Sequence, residues 1–241
     1  MKLPVVYAMH WDNIPENILK KQRSVFDHLQ IELMQENANK ISHGTWMNDV
    51  IKRKSSDDII IFCDIDAFPI RRSAYLKAIE NAERGAIFGL AQFSNHKKGT
   101  DLYAGPMFMA FRKSTWEAMG SPALKSSTDH DAAEVMSALA RKGHVDLVLS
   151  RPSSCLIPKW ALGNEGVFGI GTFYGECDFF HLFESRKPAY EMIFNEVADD
   201  VVADRPLNFR RYLEIAETLH TPDAEHGRTA RAQGFWHRIF K

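Results

Sequence analysis

Two carboxylates one residue apart close a run of apolar side chains in "IIIFCDIDAFPI", residues 59–70, where Asp64 and Asp66 follow Ile59, Ile60, Ile61, Phe62 and Cys63. If the chain stays extended that far, side chains two apart point to the same side. Carboxylates so close repel one another unless a cation joins them, and hard divalent cations take oxygen ligands. A metal site explains the pair better than two solvated charges do, although a short acidic turn after a strand is the plain alternative and the spacing alone has little specificity. Other groups able to do chemistry are ambiguous when read singly. His181 alone reads as a buried, hydrogen-bonded histidine, and Lys187 as a solvated cation ahead of a helix. Asp129 and Asp131 read as charges favoured at a helix N-terminus.

The elements that must position these groups alternate. "LPVVYAM" (3–9) predicts a first strand, and Pro15 opens a helix whose inner face carries Ile18, Val25, Phe26 and Leu29. "HGTWMNDVIKRK" predicts a second helix. The continuous apolar run from Ile59 suits a central parallel strand covered on both faces, and ligands of such sheets bind beyond the carboxyl ends of the strands, where Asp64 and Asp66 fall. "SAYLKAIENAERG" predicts a helix closed by Gly85, followed by a strand in "AIFGLAQF". After a polar loop, "PMFMAF" predicts a strand, "STWE" a capping box, and "DHDAAEVMSALARKG" a helix with Ala132, Val135, Met136 and Leu139 on one face. "VDLVLS" predicts another strand. Residues 151–180, rich in Gly, Pro and aromatics without clear period, predict long loops. Helices are expected from Pro188, with Tyr190, Ile193, Phe194, Val197 and Val201 on one face, and over "PLNFRRYLEIAETLH". The pattern predicts an α/β fold with a mostly parallel central sheet flanked by helices.

The chain has 241 residues, 45% apolar and 25% charged, which is ordinary globular composition. Thirty basic and 31 acidic residues leave no global field for nucleic acid or membrane. The three cysteines, Cys63, Cys155 and Cys177, lack any CxxC pairing, so neither a disulfide framework nor a cysteine zinc site is expected. There is no apolar run of the ~18 residues that a membrane span needs.

The segment "FFHLFESRKPAY" resembles the C-terminal signature of GT-A fold glycosyltransferases of the glycogenin and bacterial lipopolysaccharide galactosyltransferase type, in which His is followed six residues later by Lys and Pro. His181, Lys187 and Pro188 match. The resemblance implies a Rossmann-like GT-A sheet, with Asp64, Asp66 and His181 as ligands of Mn²⁺ or Mg²⁺ and Lys187 on the diphosphate of a nucleoside diphosphate sugar. "VVYAMHWDN" resembles the nucleotide-binding turn of that family and implies Ala8, His10 and Asp12 near the base or ribose. Ile65, between the two acids, and Gly105, in "YAGPMFMAF", are implied beside the donor. "TDHDAAEVM" resembles the start of the family's acidic helix, which implies Asp129 and Asp131 at the sugar; Asp131 is the candidate base if the reaction inverts. The likeness spans short islands between residues 3 and 190. The chain departs from the pattern at Glu184, where the family has Gly, and at Ala189, where it has Trp. His10 and His43 are further candidate imidazoles, whereas Trp116 and Trp160 read as packing residues.

The expected activity is metal-dependent transfer of a sugar to a hydroxyl of a glycan or lipid-linked saccharide, with retention of configuration. Two alternatives remain. The apolar strand before DxD is similar to that of phosphatases of the haloacid dehalogenase type, with Asp64 as nucleophile and Asp199 and Asp200 imitating the acidic motif, but Phe68 stands where that family has Thr or Val. A noncatalytic nucleotide- or carbohydrate-binding module is the other. The domain expectation is a transferase domain over 1–205 and a helix with a basic, aromatic tail over 206–241. In that tail Arg228, Arg231, Arg238 and Lys241 interleave with Phe235, Trp236, Ile239 and Phe240. Such a mixture suits an anionic lipid interface; the cysteine usage fits a reducing compartment, so the expected location is the cytoplasm, with peripheral membrane contact through 226–241. Pelleting with anionic liposomes should depend on those residues; equal recovery without them would refute the expectation.

Overall fold

The computed structural model of the protein describes residues 3–94, 101–162 and 166–219. In chain order its elements are β1 (Val6–His10), α1 (Glu16–His28), β2 (Leu33–Asn37), α2 (His43–Lys52), β3 (Ile59–Cys63), β4 (Ala67–Pro69), α3 (Arg72–Glu83), β5 (Ile87–Phe93) and β6 (Leu102–Arg112). There follow α4 (Lys113–Ala118), α5 (Glu134–Gly143), β7 (Leu147–Ser150), β8 (Pro152–Ala161), β9 (Val167–Tyr174), β10 (Phe179–Leu182), α6 (Pro188–Val202) and α7 (Phe209–Leu219).

The central sheet has the strand order β2-β1-β3-β6-β5-β7. β1 runs parallel to β2 and β3, and β5 parallel to β7, while β6 is antiparallel to both its neighbours. The sheet is thus mostly parallel and flanked by helices, as the alternating pattern predicts. β3 is central, and Ile60, Ile61 and Phe62 are wholly buried. Ile61 joins the core beneath α1 and α3, whereas Ile60 and Phe62 face the core beneath α2, so both faces are covered.

Residues 151–180 are not long loops. They form β8 and β9, which with β10 and the three-residue β4 make a second, antiparallel sheet of order β4-β10-β9-β8. The register of β8 on β9 shifts twice, between Pro152 and Ser154 and between Pro158 and Trp160, which breaks the alternation that a sequence reading looks for. Gly169 is needed there: a Cβ would lie 2.4 Å from the Ile157 carbonyl oxygen. The helix expected from Asp129 begins only at Glu134, because Ala133 has left-handed backbone, φ 67°. The capping box expected at Ser114 does not form either; α4 starts at Lys113 with no side-chain cap.

α6 and α7 pack on the main core through Ile193, Phe194, Val197, Tyr212, Ile215 and Ala216. Asp200 ties them together, accepting hydrogen bonds from the Tyr212 hydroxyl, Arg205 Nε (2.7 Å) and the Asn208 amide (3.3 Å). Burial acts to raise its pKa, but these bonds outweigh burial and hold the carboxyl below its ordinary value. A depressed folded pKa contributes stability that is present above the unfolded value, near 4, and is lost as pH falls through the folded value. The melting temperature of Asp200→Asn should therefore change less than wild type between about pH 5 and about pH 2. Parallel pH curves would show that Asp200 carries no such linkage.

The basic tail, 226–241, lies outside the described residues. Among the described residues no helix is long and apolar enough to cross a membrane.

Candidate metal centre and nucleotide cleft

The chain leaves β3 at Cys63 and turns at once into β4. A buried glutamine fixes that turn: Gln22 Nε2 donates to the carbonyls of Asp64 (2.7 Å) and Ala67 (2.8 Å). Its own carbonyl is held by Gln35 Nε2 at 3.0 Å. The Cys63 thiol donates to Ala67 O at 3.2 Å, and the Asp64 amide to Met107 O at 3.1 Å on β6. The backbone around both carboxylates is thus set before any ligand arrives.

β10 brings in the third group. It pairs antiparallel with β4 so that His181 lies opposite Ala67, and the Leu182 amide donates to Asp66 O at 2.9 Å. His181 is 4% exposed, and its Nε2 lies 3.3 Å from Asp66 Oδ1 and 3.9 Å from Asp64 Oδ2. Candidate ligand atoms of Asp64, Asp66 and His181 all fall within 4.8 Å of one another. The Ser185 hydroxyl donates to the other oxygen of Asp66, and His43 Nε2, at the start of α2, is 3.6 Å from Asp64 Oδ1.

The two acids are electrostatically unequal. Burial pushes the Asp64 carboxyl above its ordinary value and the charge of Asp66 adds to this, against the opposing pull of His43 and His181. Burial also works to raise Asp66, but His181 and Ser185 outweigh it and hold that carboxyl low. Uncompensated negative charge at Asp64 is what a cation would relieve, and two carboxylates with one imidazole suit Mn²⁺ or Mg²⁺. The residues fit a divalent ion.

Beside this trio is a cleft of about 410 Å³, lined by the end of β1 and the residue after it (His10, Trp11), by Ser42 and His43 before and at the start of α2, by the acids with Ile65, and by Glu184, Ser185 and Arg186 after β10. No protein-family model and no curated protein matches the chain. Among solved structures it is similar to the galactosyltransferase LgtC in complex with donor and acceptor sugar analogs, at 12% identity and TM-score 0.49 over 92% of this chain and 98% of that one. It is also similar to a mannosyltransferase of Pyrobaculum calidifontis in complex with GDP-Man and Mn²⁺, at 10% identity and TM-score 0.46, over 90% and 69%. A third is a Drosophila β1,4-galactosyltransferase 7 with manganese, UDP-Gal and xylobiose, at 11% and 0.42, over 93% and 83%. These likenesses are of fold alone. At such distances, substrate and reaction must be argued from the residues themselves.

The structure brings together Asp64, Ile65, Asp66 and His181, and His10 lines the same cleft. The other sequence-derived candidates sit differently. Ala8 is wholly buried, so its side chain belongs to the core. Asp12, beyond β1, accepts from Asn37 Nδ2 (2.8 Å) and Asn39 Nδ2. Gly105 is buried on β6, where a Cβ would meet Met107 Sδ at 2.4 Å. Asp131 precedes α5 and accepts from the buried Tyr103 hydroxyl at 3.4 Å, while the amides of Asp129 and His130 donate to Ser127 Oγ. Lys187 Nζ is 2.7 Å from Glu184 Oε2. Glu184 takes the left-handed conformation, φ 60°, which costs a non-glycine residue about 1–2 kcal/mol. Asp199 pairs with Lys21 and Asp200 with Tyr212 and Arg205, so both acids needed by a phosphatase reading are engaged at helix packing.

Gln22, Ser185, His43 and Trp11 were not singled out as site residues from sequence, beyond the mention of His43. Gln22 had a signal: it shares the inner face of α1 with Ile18, Val25 and Phe26, where a polar residue needs a buried partner.

Proposed function

We propose that the protein is a metal-dependent glycosyltransferase that moves a hexose from a nucleoside diphosphate sugar to a hydroxyl of a saccharide or lipid-linked saccharide. The observation that carries this reading is the meeting of Asp64, Asp66 and His181 at the tip of a central strand, beside an open cleft. A divalent cation held there supplies positive charge against the departing diphosphate. The chain's own groups do the rest. Gln22 and the β4–β10 pairing hold the acids in place, and the walls of the cleft seat the donor, with His10 and Ile65 toward the nucleotide. In the transfer, the bond between anomeric carbon and diphosphate oxygen breaks and the acceptor oxygen bonds to that carbon. The acceptor's proton passes to the departing phosphate oxygen, so the retaining route needs no protein base.

The reading is tested by thermal shift with UDP, GDP, CDP and their sugars, with and without Mn²⁺. A shift that needs both nucleotide and metal, together with slow metal-dependent hydrolysis of one sugar nucleotide, is expected. Cleavage of simple phosphate monoesters with a trapped aspartyl phosphate at Asp64 would replace the reading with a phosphatase, and binding without turnover would leave a binding module. In an inverting enzyme Asp131 takes the acceptor's proton, which is worth ~10² to 10⁴ in rate. The retaining route predicts instead that Asp131→Asn keeps turnover within about threefold of wild type; a loss of that larger size decides for inversion.

A further inference from the structure

We infer that Arg186, rather than Lys187, is the cation that receives the diphosphate of the donor, an assignment that rests on the transferase reading and refines it. The two cations are adjacent in the loop between β10 and α6, but their surroundings differ. Lys187 Nζ is 2.7 Å from Glu184 Oε2 and 5.8 Å from the ring centroid of Tyr190, and the cleft is lined by Glu184, Ser185 and Arg186 without it. Glu184 also accepts from Lys159 Nζ. Burial of Glu184 opposes ionisation, yet the two lysines prevail and hold its carboxyl below the ordinary value. A phosphate arriving at Lys187 must therefore compete with a carboxylate already there, and exchanging one anion for another gains little.

Arg186 faces the opposite situation. It lines the cleft with both acids, and among the described residues it makes no ion pair. Its guanidinium carbon lies 5.3 Å from the centroid of the Trp11 ring. Trp11 is itself fixed, its indole N–H donating to Ile41 O at 3.0 Å. A guanidinium held against a ring face keeps its edge donors for another acceptor, and its fork matches two phosphate oxygens. Ser185, the preceding residue, donates to Asp66. One short loop thus joins a support of the metal site to the cation beside it.

The test is calorimetric titration of the full chain, saturated with Mn²⁺, using inorganic pyrophosphate and then UDP, GDP and CDP. Arg186→Gln should weaken pyrophosphate about 10-fold or more, with Arg186→Lys between, and Lys187→Gln should stay within about threefold. Both side chains are exposed, so the melting temperatures of these variants should match wild type. Glu184→Gln frees Lys187, so it should tighten pyrophosphate several-fold, and adding Lys187→Gln should cancel that gain. A loss in Lys187→Gln equal to or larger than that in Arg186→Gln, or no loss in Arg186→Gln, overturns the assignment while leaving the transferase reading intact. If wild type with Mn²⁺ binds neither pyrophosphate nor any nucleoside diphosphate, the transferase reading fails and takes the assignment with it.

Discussion

Asp66→Ala is expected to abolish Mn²⁺-dependent nucleotide binding and to lower turnover by at least about 10³-fold, the equivalent of ~4 kcal/mol of transition-state stabilisation. Asp66 is the hinge of the site. One of its oxygens is 3.3 Å from His181 Nε2, the other accepts from Ser185, and its carbonyl anchors β10 through the Leu182 amide. The variant keeps that backbone bond and loses the charge. Without metal its melting temperature should fall modestly, because the interactions of His181 and Ser185 that outweigh burial and hold the Asp66 carboxyl low are lost with it. Loss of metal response with no loss of fold separates a ligand from a structural residue. Asp66→Asn, which preserves shape, should lose the metal response too, whereas Ser185→Ala, which removes only a supporting hydrogen bond, should weaken metal binding about 10- to 100-fold. An Asp66→Ala protein that still shifts with Mn²⁺ and nucleotide would end the proposed mechanism.

How far the sequence foretold this arrangement depends on the range of the interactions. β3 and its two acids were legible because a continuous apolar run that stops at paired charge is a local pattern. α6 was legible because Pro188 stands at its first turn and Ile193, Phe194, Val197 and Val201 repeat at helical spacing. β2 was missed as a short, polar edge strand, half exposed along its length. The second sheet was missed for a different reason. β8 and β9 carry Pro158, Gly169 and Gly171 and a twice-shifted register, so neither strand alternates cleanly. That sheet carries His181, and the pairing of His181 with Ala67 spans more than a hundred positions, which no local period encodes. Its place beside the acids was expected only through resemblance to a family. The left-handed turn at Glu184 and the pairing of its carboxylate with Lys159 and Lys187 were likewise beyond a local reading.

The position of His181 depends on what lies behind it. On β10, Phe180 points to the face opposite His181, is wholly buried, and lies in a cluster of rings: Phe173 at 4.8 Å, Phe68 at 5.6 Å and Phe194 at 6.2 Å between centroids. These partners come from β9, β4 and α6, so one side chain fastens both neighbours of β10 to the helix behind them. Truncating a buried Phe to Ala costs about 3–5 kcal/mol in transfer and cavity terms, a large part of the ~5–15 kcal/mol that holds an ordinary domain. Phe180→Ala should therefore lower the melting temperature by about 10 °C, and Phe180→Leu, which keeps most of the volume, should cost about 1.5 kcal/mol. The metal site supplies a second readout. A ligand that binds only the folded chain adds about 2.7 kcal/mol at a hundredfold excess over its Kd, so Mn²⁺ should recover part of the lost stability in Phe180→Ala if His181 keeps its place. In the double variant with His181→Ala that recovery should vanish. A melting temperature for Phe180→Ala within about 2 °C of wild type would mean that β10, and with it the imidazole, is held by something other than this ring cluster.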